Sequence, residues 1–77
     1  MQTWKDVVEA SVDDAPHGIR DARGYWQQVA AEMRENGIAT DTDFHLLVRS
    51  CLDAARQIRQ DRIAERDGEE YRYLFAV

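Results

Sequence analysis

The chain has 77 residues, with 15 acidic and 10 basic side chains, a net charge of −5 and one cysteine. A chain this short forms one small core, which excludes a two-domain enzyme and a closed barrel of alternating strands and helices. One cysteine excludes an internal disulfide framework and a multi-cysteine zinc site. No apolar run is long enough for a membrane span or a signal-peptide core. We therefore expect one small soluble domain over 1–77, located in the cytoplasm.

The charge is distributed unevenly along the chain. Residues 1–43 carry nine acidic and four basic side chains, whereas residues 44–77 carry six of each. All the basic residues except Lys5 are arginines, which indicates a GC-rich bacterial or phage genome. An acidic total disfavours nonspecific binding to DNA or to anionic membranes. Solubility alone accounts for such a charge, and docking of an acidic face on a basic protein surface is the alternative.

The first helix is predicted over about 4–13. Thr3 and Asp6 have the spacing of a capping box, in which each side chain bonds the backbone N–H of the other residue. Apolar residues then recur at helical spacing, namely Trp4, Val7, Val8 and Val12. Pro16 disfavours helical geometry at the residue before it, so the helix is expected to end before that point.

The second helix is predicted over about 17–35. Its apolar stripe consists of Ile19, Ala22, Trp26, Val29, Ala30 and Met33. Asn36-Gly37 follows directly, and glycine suits the left-handed conformation that terminates many helices.

The third helix is predicted over about 42–66. Thr40 and Asp43 repeat the capping-box spacing, while Asp41 or Thr42 offers an alternative cap. The stripe expected to face the core consists of Phe44, Leu47, Val48, Cys51, Leu52, Ala55 and Ile58. At about 1.5 Å per residue this helix spans roughly 37 Å, so its polar far end overhangs the shorter second helix.

The C-terminal residues 69–77 are predicted to form a tail that packs on the core of the domain or on a second chain. Asp67-Gly68 is expected to break the third helix, and period-two alternation then favours a short strand or extended segment over about 70–76. A short helix is the alternative. A strand needs a hydrogen-bonding partner, which a hairpin with 62–66, a second copy or the sheet edge of another protein would supply. The residues predicted to mediate self-association are Tyr71, Tyr73 and Phe75.

Two charged faces and one aromatic residue are the candidate partner-binding groups. Five arginines of the third helix lie three or four residues apart in several pairs, namely Arg49, Arg56, Arg59, Arg62 and Arg66. The plainer interpretation is a solvated face with local ion pairs, namely Arg49 with Asp53, Asp53 with Arg56, and Arg62 with Glu65. The first helix offers Asp6, Glu9 and Asp13. Tyr25, beside Trp26, is expected to face outward and to serve as an interface anchor.

No catalytic, metal-binding or cofactor-binding motif is evident. Cys51 lies on an apolar stripe with no base at helical spacing, which favours a buried structural thiol over a nucleophile. His17 and His45 form no metal-ligand spacing with cysteine, aspartate or glutamate. We therefore expect no enzyme activity, no metal and no cofactor.

The sequence thus predicts a mainly α, three-helix domain without chemistry of its own. The functional hypothesis is an acidic protein-binding module, namely a stoichiometric inhibitor or regulator that occupies a surface of a larger, nucleic-acid-handling protein. Small phage inhibitors of bacterial defence act in this way, and the analogy is one of size and charge. The alternative is a homodimeric transcriptional regulator or antitoxin that uses the arginines of the third helix, although direct nucleic-acid binding is disfavoured by the acidic N-terminal end of that helix.

Overall fold

Helix α1 spans Trp4–Ser11 and continues into a 3₁₀ turn over Val12–Asp14. The structure, a computed structural model, describes the backbone of residues 2–75 and the side chains of residues 2–18 and 20–68. The predicted capping box is confirmed, because Thr3 N–H donates to the Asp6 carboxylate at 3.0 Å and Asp6 N–H donates to the Thr3 hydroxyl at 3.3 Å. The prediction of one helix over 4–13 is corrected, since the last turn tightens before Pro16.

Helix α2 spans Ile19–Glu35 and begins two residues later than predicted. Gly18 occupies its N-cap in an extended conformation. The predicted stop at Asn36-Gly37 is confirmed, because Gly37 adopts a φ of 74°. Ile38 N–H donates to Met33 O at 2.7 Å and Gly37 N–H donates to Arg34 O at 3.0 Å. This pair of hydrogen bonds is a Schellman motif, which satisfies two of the last carbonyls of the helix.

Helix α3 spans Phe44–Phe75. Asp43 caps it, since one carboxylate oxygen accepts hydrogen bonds from the N–H groups of His45 and Leu46 at 3.0 and 3.4 Å. The predicted start at 42 and the predicted cap at Thr40 are therefore wrong. At about 1.5 Å per residue, the 32 residues of α3 extend over roughly 48 Å.

The predicted break at Asp67-Gly68 and the predicted strand over 70–76 are wrong within the described backbone, which is helical through Phe75. A helix satisfies its backbone hydrogen bonds internally, whereas a lone strand leaves them without partners. One glycine inside a helix costs only about 1 kcal/mol relative to alanine, so Gly68 does not force a break. Position 76 lies outside the described residues.

The hydrophobic core lies where α3 packs on both α1 and α2. Its largest buried side chains are Trp26, Met33, Leu47, Val8, Val12 and Cys51. Trp4 and Phe44 pack at the edge of this core and are half-buried. The described part of the chain is thus a mainly α, three-helix domain, as the sequence predicts.

Candidate functional site

The five arginines predicted to form one binding face of α3 separate into two groups. Arg59 and Arg62 contact the end of α1 through hydrogen bonds within the chain. Arg49, Arg56 and Arg66 are exposed and form no ion pair with a described side chain, whereas Arg62 is exposed but paired. The structure therefore does not present all five guanidinium groups to a partner.

Arg59 fixes the end of α1 to α3. Its Nη2 atom donates to Val12 O at 3.0 Å and to Ala15 O at 2.6 Å. Helix ends leave backbone carbonyls without partners, and a cation there also interacts favourably with the helix dipole. The last turn of α1 contains no basic residue of its own, so Arg59 supplies this function from another helix.

Arg62 forms an ion pair with Asp13 rather than with Glu65. Its Nη1 atom lies 2.5 Å from Asp13 Oδ1. None of the three pairs predicted from spacing forms among the described side chains, namely Arg49 with Asp53, Asp53 with Arg56, and Arg62 with Glu65. Asp13, one of the three α1 carboxylates predicted to bind a partner protein, is therefore paired with an arginine of the same domain.

The other two predicted acidic residues, on α1, differ in their roles. Asp6 is held by the capping box, and the backbone N–H of Thr3, followed by its hydroxyl, lowers the pKa of the Asp6 carboxyl. Glu9 is exposed and makes no hydrogen bond among the described side chains. Reversing all three charges would thus remove a helix cap as well as surface charge.

Tyr25 is half-buried, and the prediction that it faces outward is wrong. Its hydroxyl donates to Ser11 O at 3.0 Å, and its ring packs edge-on against Trp26 with centroids 5.1 Å apart. Because the hydroxyl bonds a carbonyl in the last residue of α1, Tyr25 joins α2 to α1. The residues predicted for self-association, Tyr71, Tyr73 and Phe75, lie outside the described side chains.

A surface groove between α2 and the first turns of α3 was not predicted. It has a volume of about 640 Å³, and Arg23 and Gln27 of α2 line one side. The side formed by α3 and its cap consists of Asp43, His45, Leu46, Val48, Arg49 and Leu52. We call this feature the α2/α3 groove. The sequence analysis did not identify Leu46 as a binding residue, because Leu46 lies beside the apolar stripe that faces the core. The signal that could have indicated it is an apolar residue at a helix position outside that stripe.

Leu46 and Ile63 are the large apolar side chains with high exposure among those described, at 56% and 52%. Leu46 lies at the α2/α3 groove. Ile63 lies at the start of the last sixteen residues of α3, where every described side chain from Gln60 to Gly68 is exposed. We call residues 60–75 the α3 extension.

Arg34 positions the start of α3 relative to α2. Its Nη2 atom donates to Thr42 O, and its guanidinium lies over the Phe44 ring, 5.3 Å from the centroid. The contact with the ring is a cation–π interaction, for which arginine is well suited. These two contacts fix the start of α3, which forms one side of the α2/α3 groove, relative to α2.

Cys51 is fully buried, and this burial raises the pKa of its thiol to about 11. A thiol needs a lowered pKa and access to solvent to act as a nucleophile, so Cys51 is structural. Within the described residues, no three side chains among His, Cys, Asp and Glu are close enough to hold a metal ion. None of the described helices combines the length and the apolar character needed to cross a membrane.

Comparison with protein-family models, with curated proteins and with solved structures gave no significant match.

Proposed function

We propose that the protein is a noncatalytic protein-binding module that acts in the cytoplasm as a stoichiometric inhibitor or regulator. It would do so by occupying a surface of a larger protein. The observation that carries the proposal is the α3 extension, a helix whose described side chains from Gln60 to Gly68 are all exposed.

The α3 extension lacks the packing that stabilises most helices in proteins. Most helical stability in proteins comes from tertiary packing of one face rather than from intrinsic helix propensity. The α3 extension has sixteen residues and contains Gly68, yet apart from the ion pair of Arg62 with Asp13 its described side chains do not pack on the core. Contact with a second molecule would supply the missing packing. Ile63, half-exposed at the base of the extension, would become buried in that contact.

The charge of the chain favours a partner with a basic surface. The net charge is −5, and nine of the 15 acidic residues lie in the first 43 positions. Complementary potentials accelerate association and select partners. A nucleic-acid-handling enzyme, whose substrate groove is basic, is one concrete partner of this kind.

Direct DNA reading, as in a homodimeric regulator or antitoxin, receives less support. Arg59 and Arg62 already bond the end of the first helical segment, which leaves three of the five predicted arginines without an ion pair or hydrogen bond to a described residue. Asp43 at the N-terminal end of α3 would lie where recognition helices contact bases and phosphates.

Capture of the partner with the tagged full-length chain tests the proposal. A nuclease-treated lysate of the source cell is passed over wild type, Ile63→Asp and Ala31→Asp, and bound proteins are quantified by mass spectrometry. Ala31 is exposed on α2, so Ala31→Asp adds the same charge away from the α3 extension. We expect one protein at a fixed ratio to the bait, lost with Ile63→Asp and kept with Ala31→Asp. Recovery of the chain alone, as a monomer or as a multiple of its own mass, would contradict the proposal.

A further inference from the structure

We infer that the α2/α3 groove binds an acidic amphipathic helix of a protein partner, with an apolar side chain on Leu46 and Leu52 and carboxylates on Arg23 and Arg49. The inference rests on the proposed function, since it requires that the chain binds protein. The α2/α3 groove would then be a second binding surface, separate from the α3 extension, and its ligand would be an acidic helical segment.

The floor of the groove is apolar. Val48 is buried beneath it, and Leu52 is half-buried against the core. Leu46 is 56% exposed beside these two residues. An apolar side chain from a partner would extend the existing core contact outward, and burial of such surface is the main driving force of association.

The charged side chains of the groove favour carboxylates. One arginine comes from each helix, Arg23 from α2 and Arg49 from α3, and both are exposed. Neither forms an ion pair with a described side chain. The opposing carboxylate, Asp43, already accepts hydrogen bonds from two N–H groups of α3 through one of its oxygens. The groove is thus locally basic in a chain whose net charge is −5.

A peptide segment fits these features better than a nucleic acid does. A phosphate backbone carries a denser negative charge than a helix with a few carboxylates, so the acidic remainder of the chain repels it more strongly, and it offers no apolar group for Leu46. An amphipathic helix places apolar residues at positions i, i+3, i+4 and i+7 with carboxylates on either side. That spacing matches an apolar floor with a guanidinium group on each helix, where each arginine can bind a carboxylate in a bidentate manner.

The direct test is titration of the isotope-labelled full-length chain with a synthetic helical peptide of about fifteen residues that carries leucines on one face and glutamates on both sides of it. Backbone amide shifts are followed by NMR. We expect saturable shifts confined to residues near 23–27 and 43–52. In Arg23→Glu/Arg49→Glu the affinity is expected to fall by about tenfold or more. The matched variant Lys5→Glu/Arg66→Glu changes the charge equally outside the groove and is expected to retain binding.

Two further measurements test the apolar contact and the charge preference of the groove separately. Leu46→Asp, at an exposed position, is expected to weaken binding while preserving the thermal midpoint of unfolding. A peptide with lysine in place of glutamate is expected not to bind. Absence of saturable shifts, shifts outside the groove, or equal binding of the lysine peptide or of an oligonucleotide would overturn the inference. Partner capture that depends on Ile63 but not on Arg23 and Arg49 would overturn it while leaving the proposed function intact.

Discussion

Arg59 and Ala15 are 44 positions apart in the sequence, and the guanidinium Nη2 of Arg59 lies 2.6 Å from the carbonyl oxygen of Ala15. The same nitrogen also donates to Val12 O at 3.0 Å. A residue of α3 therefore bonds the end of the first helical segment, which has no basic residue of its own. Arg59, which the sequence predicts to bind a partner, therefore stabilises the domain through this contact.

Replacement of Arg59 by alanine is expected to lower the free energy of unfolding by about 1.5–3 kcal/mol, because hydrogen bonds from charged groups are lost and two carbonyls are left without this donor. Arg56→Ala, at an exposed position three residues earlier, is expected to change it by less than about 0.5 kcal/mol. Urea unfolding of both variants measures the difference. Equal effects of the two substitutions would show that the Arg59 contact is not formed in solution.

The ion pair between Arg62 and Asp13 is expected to contribute less. The side chains are 46% and 76% exposed, so water and salt screen their attraction. A double-mutant cycle with Arg62→Ala and Asp13→Ala is expected to give a coupling of about 0.2–1 kcal/mol that decreases as salt is added. A larger coupling that salt does not reduce would contradict this assignment.

Local signals predicted the parts of the fold that depend on nearby residues. The capping box of Thr3 and Asp6 and the stop at Gly37 involve positions within a few residues of each other, and both are confirmed. The apolar stripes also correctly predicted the core residues Trp26, Leu47 and Cys51. In each case the sequence signal, although not always the contact itself, lies within one or two helical turns.

The predictions that were wrong depend on tertiary contacts, or on a segment whose sequence fits both a strand and a helix. Pairs at i, i+3 and i, i+4 were expected for the arginines, but Arg59 and Arg62 bond residues that precede them by 44 to 49 positions. Alternation in the last residues favoured a strand, although a helix needs no partner for its backbone. The α2/α3 groove arises from the packing of two helices, which spacing within either helix does not describe.

The capping box is expected to make stability depend on pH. The folded pKa of Asp6 is lowered below the ordinary value of 3.8, so the carboxylate stabilises the folded state above that pH. This contribution is lost as the pH falls through the lowered folded pKa. The urea midpoint of Asp6→Asn should therefore decline less on acidification below about pH 4 than that of wild type. Glu9→Gln, which removes an exposed carboxyl of the same helix, is the control and should decline as wild type does.

Cys51 is expected to resist thiol reagents in the folded protein. Its side chain is fully buried and its pKa is raised to about 11, so little thiolate is present near pH 8 and no reagent reaches it. Modification by a chromogenic disulfide reagent should be roughly 100-fold slower than in urea, because it requires opening of the core. Equal rates in the two conditions would place the thiol at the surface.

Two glycine substitutions are expected to have opposite effects. A Cβ at Gly68 would meet nothing within 4 Å. Gly68→Ala should therefore stabilise the helical form of the α3 extension by up to about 1 kcal/mol, so that its helicity is retained to a higher temperature. Gly37 has a φ of 74°, so Gly37→Ala should destabilise the domain by about 1–2 kcal/mol. Circular dichroism at increasing temperature measures both. Loss of helicity on heating at the same temperature as wild type, or at a lower one, in Gly68→Ala would contradict a helical α3 extension.

Quantitative partner capture under nuclease treatment, with wild type, Ile63→Asp and Ala31→Asp, tests whether the α3 extension binds a partner. We expect one protein bound at a constant molar ratio to wild type and to Ala31→Asp. Its retention should be lost in Ile63→Asp, although the circular dichroism spectrum of that variant matches that of Ala31→Asp. Recovery of the chain without any stoichiometric partner, or equal capture by all three proteins, would contradict a binding role for the α3 extension.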